Sequence, residues 1–259
     1  MLLEVKDLNI SLTSGKSVAE HISFQLDQGE MLSIVGSSGA GKTTICKAIM
    51  GLLGNAYRAD GEILFQGEDL LDLPERKRQT IYGKEICLIM QNPMTAFNPS
   101  IRVGRQMEKT YLLHHGKTPR QEMQRLFAAI LQRLGLEDTQ RILNSYPFTL
   151  SGGMLQRLMI AAALMCQPAL LVADEATTAI DACNRIGLMR ELKSFCKDGM
   201  SVLFVTHDLR SASVSDRILV MDRGQIVEQG KTEQILNTPK EDYTKYLLNA
   251  CRLERREMS

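Results

Sequence analysis

An α/β fold with a mainly parallel central sheet follows from three features of the 259-residue sequence. First, short apolar runs alternate with helix-like stretches. Met31-Leu32-Ser33-Ile34-Val35, Ala169-Leu170-Leu171-Val172-Ala173 and Ser201-Val202-Leu203-Phe204-Val205-Thr206 have the length of strands buried on both faces. Second, Gly36-Ser37-Ser38-Gly39-Ala40-Gly41-Lys42-Thr43 joins the first of these strands to a helix-like run over residues 44–53, a strand–loop–helix unit suited to phosphate. Third, the N-terminal segments alternate apolar and polar residues with period two, which predicts a small antiparallel sheet laid on that core.

In chain order, Leu3-Glu4-Val5-Lys6-Asp7-Leu8-Asn9-Ile10 and Ile22-Ser23-Phe24-Gln25-Leu26 read as strands of the antiparallel sheet. The turn Asp27-Gln28-Gly29 leads to the strand before the glycine loop, and Gly61-Glu62-Ile63-Leu64-Phe65-Gln66-Gly67 adds another short strand. From about residue 102 the texture is helical. Met123, Leu126, Phe127, Ile130, Leu131 and Leu134 fall at helical spacing and Gly135 supplies a stop, so a helical subdomain of about 92–165 is expected within the core. Pro168 introduces the next buried strand. Residues 217–221 and 225–229 flank Asp222-Arg223-Gly224 and read as a hairpin. A tail over about 238–259, with Glu254-Arg255-Arg256-Glu257 as a solvated end, closes what is expected to be one domain over 1–259.

Composition narrows the function. A chain that is 44% hydrophobic and 24% charged can bury a globular core, and a net charge of +1 argues against a partner held by a general basic field, such as nucleic acid. Cys46, Cys87, Cys166, Cys183, Cys196 and Cys251 are scattered without a C-x-x-C pair, which favours reduced thiols over a disulfide framework. Glu4, Lys6 and Asp7 precede any hydrophobic stretch, so no signal peptide is expected. The longest uninterrupted apolar stretch, 158–166, is far too short to span a bilayer; work at a membrane would require a partner.

The glycine loop carries the first chemistry. Its glycines let successive N–H groups converge, and the following helix N-terminus adds partial positive charge, so a nucleoside triphosphate is the expected ligand. Lys42 is placed for the β- and γ-phosphates, with Thr43 for Mg²⁺ and Thr44 beside it. The strand ending in Asp174-Glu175 supplies two carboxylates: Asp174 for the Mg²⁺ shell and Glu175 to polarise water for attack on the γ-phosphate. His207 follows the next buried strand, where α/β sheets bind ligands, and is assigned a γ-phosphate contact. The plainer alternatives are acids that cap a strand and a histidine that packs. Leu150-Ser151-Gly152-Gly153-Met154 precedes a helix expected to begin near Leu155, and forms a second anion-binding helix start. One triphosphate hardly needs two such cradles unless the second serves a nucleotide held by a partner.

At this point the chain resembles the ATP-binding subunits of ABC transporters, whose signature is Leu-Ser-Gly-Gly-Gln. Gln91-Asn92-Pro93 matches the family's Q-loop, Ala179-Ile180-Asp181 its D-loop and His207 its switch histidine. The resemblance implies a P-loop NTPase core and an ATPase whose cofactors are ATP and Mg²⁺. Two such subunits would sandwich two ATP molecules, each between one subunit's phosphate loop and the other's Ser151-Gly152-Gly153, with Asp181 beside the nucleotide and Gln91 joining Thr43 and Asp174 around Mg²⁺. It further implies a place at the cytoplasmic face of the inner membrane, with two membrane permease subunits as partners and an extracytoplasmic substrate-binding protein reached through them. Three departures stand out: Met154 replaces the signature glutamine, Ala176 stands where proline commonly follows the Asp-Glu pair, and Ser11-Leu12-Thr13-Ser14-Gly15 lacks the aromatic ring usually offered to adenine.

Within the family, Met90-Gln91-Asn92-Pro93-Met94-Thr95-Ala96-Phe97-Asn98-Pro99, Tyr146-Pro147-Phe148-Thr149-Leu150-Ser151-Gly152-Gly153-Met154 and Tyr243-Thr244-Lys245-Tyr246-Leu247-Leu248 are similar to the subgroup that imports peptides, nickel or related metal complexes. Two different ATPase chains usually pair in that subgroup, so the resemblance implies a heterodimer. Ending at Ser259 without a long cysteine-bearing extension, the sequence looks most like its nickel-importing members, with a di- or oligopeptide importer as the alternative. An ABC-type ATPase of DNA repair or ribosomes is the rival class, usually marked by duplicated cassettes, zinc modules or long coiled coils. His114 and His115 do not share a helix face and no Cys, Asp or Glu completes a ligand set nearby, so they are expected to be a solvated helix end rather than a transition-metal site.

Overall fold

The computed structural model describes residues 1–176 and 182–257. An antiparallel sheet is formed by β1 (Leu3–Leu12), β2 (Ser17–Leu26), β4 (Tyr57–Phe65) and β5 (Glu68–Asp69), in the order β2-β1-β4-β5. The central sheet contains β3 (Met31–Val35), β6 (Ile86–Ile89), β7 (Leu170–Asp174), β8 (Ser201–Thr206), β9 (Arg217–Asp222) and β10 (Gln225–Lys231), in the order β10-β9-β3-β8-β7-β6. Its pairings are parallel except for the β9–β10 hairpin. That hairpin turns through Arg223 and Gly224, both at positive φ (45° and 84°), as a tight turn between twisted strands requires.

Period two explains the unbroken apolar runs of the central strands. Leu171, Ala173, Val202 and Phe204 share one core with Met107, Phe127, Leu131 and Leu158. The intervening Leu170, Val172, Leu203 and Val205 face a second core with Ile45, Ile49, Leu3, Val5 and Phe24. Both faces of the sheet are therefore covered, and the antiparallel sheet belongs to the second core as expected.

The helices are α1 (Lys42–Ile49), α2 (Glu75–Ile81), α3 (Val103–His115), α4 (Arg120–Arg133), α5 (Thr139–Asn144), α6 (Gly152–Met165), α7 (Ala182–Cys196), α8 (Leu209–Ala212), α9 (Thr232–Asn237) and α10 (Asp242–Glu257). Gly135, at φ 71°, follows the end of α4 where the sequence places a stop. Two expectations need correction. α1 ends at Ile49 rather than near Leu53, because Met50 is its C-cap and Gly51 (φ 63°) turns the chain away. α6 begins at Gly152 rather than near Leu155, since the Ser151 side chain accepts the Met154 N–H as its N-cap. The C-terminal segment forms a helix over Asp242–Glu257, a detail for which the sequence carried no expectation, and is tied to α8 by the Arg210 Nη2 bond to the Cys251 carbonyl (2.6 Å). Cys46, Cys87, Cys166 and Cys196 are buried and unbridged.

The glycine loop passes tightly along the end of β9. A Cβ at Gly36 would stand 2.2 Å from the Met221 carbonyl oxygen, whereas a Cβ at Gly39 (φ 84°) would meet no heavy atom within 4 Å. Gly36→Ala is therefore expected to cost about 3 kcal/mol through overpacking against backbone. Gly39→Ala carries only the left-handed backbone penalty, about 1 kcal/mol. Urea denaturation of the two variants measures both, and equal losses would contradict this packing.

Candidate active site

The segments singled out in the sequence leave the carboxyl ends of four neighbouring parallel strands. The loop 36–43 follows β3, His207 follows β8, Asp174-Glu175 closes β7, and Gln91 lies just beyond β6. Such a row of strand ends is where open α/β sheets gather ligand groups.

Gly41 (φ 97°) is the N-cap of α1, and no side chain caps this helix and no acid occupies its first turn, which leaves its N-terminal field open to an anion. Ser37, Ser38 and Gly39 are exposed, while Gly36, Ala40 and Gly41 are buried. Lys42 is only 5% exposed. Its ammonium donates to the carbonyls of Gly36 and Ser37, both at 2.8 Å. Burial pushes its pKa down, and the Glu175 and Asp174 carboxylates pull it back. The loop thus holds a desolvated cation on its own backbone, within reach of any phosphate it cradles.

The Thr43 hydroxyl donates to Asp174 Oδ1 (3.1 Å), which joins the loop to the end of β7. Burial raises the Asp174 pKa, with the nearby Glu175 charge adding to it and the Thr43 bond opposing it. A hydroxyl and a buried carboxylate in contact are hard oxygen donors, and they fit Mg²⁺, which completes its shell with phosphate oxygens and water. Glu175 is the point of convergence. Gln91 Nε2 donates to its Oε2 (2.8 Å), and His207 Nδ1 stands 3.1 Å from its Oε1. Its own N–H donates to the Val205 carbonyl (2.8 Å), and its φ of 49° is a left-handed conformation rare for a residue other than glycine.

The structure therefore gathers Lys42, Thr43, Asp174, Glu175, Gln91 and His207. Ser151, Gly152 and Gly153 sit apart at the start of α6, and no hydrogen bond joins them to the loop 36–43 among the described residues. Asp181, with Ala179 and Ile180, lies outside the described residues. His115 is not simply solvated: it stacks on Tyr111 (4.3 Å) and meets the Met165 carbonyl through Nε2 (3.0 Å).

Sequence reasoning missed Asp208. It caps α8 by accepting the Arg210 and Ser211 N–H groups (2.9 and 3.3 Å), and it also takes the Ser211 hydroxyl (2.7 Å) and Arg185 Nη1 (3.1 Å). Burial alone would raise its pKa, but these partners hold it below the usual carboxylate value. The signal available was an aspartate directly after His207 and before a helical turn.

A carboxylate with a raised native pKa destabilises the fold once it ionises. The stability present below the unfolded-state carboxylate pKa is lost as the pH rises through the native pKa of Asp174. Asp174→Asn should raise the Tm on the alkaline side of that pKa, by about 2–4 °C for each ~1 kcal/mol of penalty removed, with the two proteins converging as the pH falls below it. Thermal melts across pH in the absence of nucleotide and divalent cation test this; a lower Tm for the variant would overturn it.

Comparisons with known proteins identify the family. The sequence model described as "ABC transporter" matches residues 19–178. The chain is 41% identical over 251 residues to the metal-staphylopine import system ATP-binding protein CntD of Staphylococcus aureus, covering 96% of this chain and 92% of that one. It is 42% identical over 254 residues to the oligopeptide transport ATP-binding protein OppD of Bacillus subtilis, covering 95% of this chain and 71% of that one. Among solved structures, the dimeric post-hydrolysis state of the ATP-binding cassette MJ0796 bound to ADP and Pi is similar, with a TM-score of 0.79 and 26% identity over 89% of this chain and 99% of that chain. The family model covers more than half of the chain and CntD is matched over nearly its whole length, so the chain belongs to the ABC transporter family, as an ATP-binding subunit that hydrolyses ATP.

Proposed function

We propose that this chain powers import of nickel or a related metal complex, as one ATPase of a pair bound to two membrane permease subunits at the cytoplasmic face of the inner membrane. Among the described residues no helix is long and apolar enough to cross a membrane, so attachment is assigned to the permeases. The observation that carries the chemistry is the Glu175 carboxylate, held by Gln91 and His207 beside the Thr43–Asp174 pair.

In this reading the amides of the loop 36–43 and the start of α1, with Thr44, receive the phosphates of ATP. Lys42 exchanges the Gly36 and Ser37 carbonyls for β- and γ-phosphate oxygens. Thr43 and Asp174 would hold Mg²⁺, with Gln91 assigned to the same shell, and the ion would supply charge neutralisation on the phosphates. Glu175 polarises the attacking water, and His207 and Gln91 fix the direction of its carboxylate. Ser151, Gly152, Gly153 and Asp181 are assigned to the nucleotide shared across the ATPase pair. ATP bridging two chains favours the closed pair, and hydrolysis releases it. The cargo reading rests on the local strings over 90–99, 146–154 and 243–248. CntD is named for a metal complex and OppD for oligopeptides, so peptide import is the second reading.

Glu175→Gln should keep ATP affinity and lower turnover at least about a hundredfold, whereas Lys42→Ala should weaken ATP binding itself. Undiminished turnover in the first variant, or unchanged affinity in the second, would remove that residue from its role. Cargo is tested by uptake of labelled nickel and of a labelled dipeptide in cells that lack the chain, complemented with wild type or Glu175→Gln. Nickel uptake restored by wild type alone is the expected result; rescue of dipeptide uptake alone would transfer the chain to peptide import.

A further inference from the structure

We infer that Tyr243 is a positioning residue for the phosphate loop, through which the C-terminal helix sets how tightly the chain holds ATP. The inference rests on the reading that the loop 36–43 receives the phosphates.

The Ser37 N–H donates to Tyr243 Oη at 3.1 Å, across 206 residues of sequence. The carbonyl of the same Ser37 accepts Lys42 Nζ at 2.8 Å. One residue of the loop therefore holds the phosphate-binding lysine on one side and is itself held by a tyrosine on the other.

The tyrosine is in turn fixed to the strands that deliver the loop. The Glu228 carboxylate on β10 accepts the N–H groups of Lys240 and Glu241 (2.8 and 3.2 Å), which anchors the chain just before α10. β10 pairs with β9, and β9 pairs with β3, whose last residue Val35 runs into Gly36. Val35, Ile218, Val220 and Ile235 form a small core on which Tyr243 and Leu247 pack. The ring of Tyr246 lies near-parallel to that of Tyr243, with centroids 6.4 Å apart. Further along, the Cys251 carbonyl of α10 accepts Arg210 Nη2 (2.6 Å), and Arg210 belongs to the helix that starts two residues after His207. α10 thus touches both sides of the site: the phosphate loop through Tyr243, and the helix behind His207 through Cys251.

A loop amide held in place before the ligand arrives lowers the ordering cost of binding. Loss of one neutral hydrogen bond of this kind is expected to weaken ATP binding about three- to tenfold. Tyr243→Phe removes the hydroxyl and keeps the ring, and Tyr246→Phe is the control. Ser37→Pro removes the N–H donor, so Tyr243→Phe should have no further effect in that background.

The test is titration of the full chain with ATP, together with steady-state hydrolysis and thermal melts. The expected result for Tyr243→Phe is a raised Kd and KM with kcat and Tm unchanged, while Tyr246→Phe stays at wild-type values. An unchanged Kd overturns the proposal, as does an equal rise in Tyr246→Phe. A loss that tracks a fall in Tm, or that persists undiminished in the Ser37→Pro background, would assign the hydroxyl to the fold alone. Failure of the wild-type chain to bind ATP would instead overturn the phosphate-loop reading on which the inference rests.

Discussion

The Glu175 carboxylate is the constraint that ties the site together. Its two oxygens are held from different strand ends, by Gln91 beyond β6 and by His207 beyond β8, while its backbone is bonded to Val205. These contacts offset a left-handed backbone that a glutamate would not adopt unsupported, at a cost of about 1–3 kcal/mol. The order β3-β8-β7-β6 is what makes this possible, because it brings Gln91, Glu175, His207 and the phosphate loop side by side. The direction of this carboxylate is thus set by parallel strand register rather than by a flexible loop.

The charges of the site are satisfied internally, but only by exchangeable partners. Lys42 rests on two backbone carbonyls and Asp174 on one hydroxyl, and burial strains both ionised forms. Each of these contacts sets one charge against a neutral partner, a charge-assisted bond of about 1.5–3 kcal/mol. Phosphate oxygens for Lys42 and a divalent cation for Asp174 offer partners of full opposite charge, whose attraction in a buried site is larger. The arrangement therefore favours replacement of every internal contact by a phosphate or a cation, with the backbone of the loop already in place.

Much of this was legible because it is local. The phosphate loop, the Asp-Glu pair and the capped start of α6 are contiguous strings whose physics acts over a few residues. The central strands were legible for the same reason, since burial on both faces leaves unbroken apolar runs. What stayed hidden depends on packing between distant segments. The Gln91–Glu175 bond spans 84 residues, and nothing in either string announces it. Glu175 carries no glycine to signal its positive φ. His115 looks solvated from its neighbours alone, because the Met165 carbonyl that it meets is 50 residues away. Helix ends were misjudged where a single residue decides them: Gly51 beyond α1 and Ser151 before α6.

The second half of the chain is braced around His207. Arg185 on α7 pairs with Asp208, the cap of α8, and Arg210 on α8 reaches the backbone of α10. One ion pair, Arg185–Asp208, therefore joins α7 to the helix that follows His207. The Asp208 carboxylate is held ionised by its partners, hence this link does not weaken near neutral pH. A histidine more than half exposed at its side chain would otherwise be free to wander. With α7, α8 and α10 locked behind it, displacement of His207 requires the helices to move together. A displacement at His207 is thereby passed on as movement of packed helices rather than of one side chain.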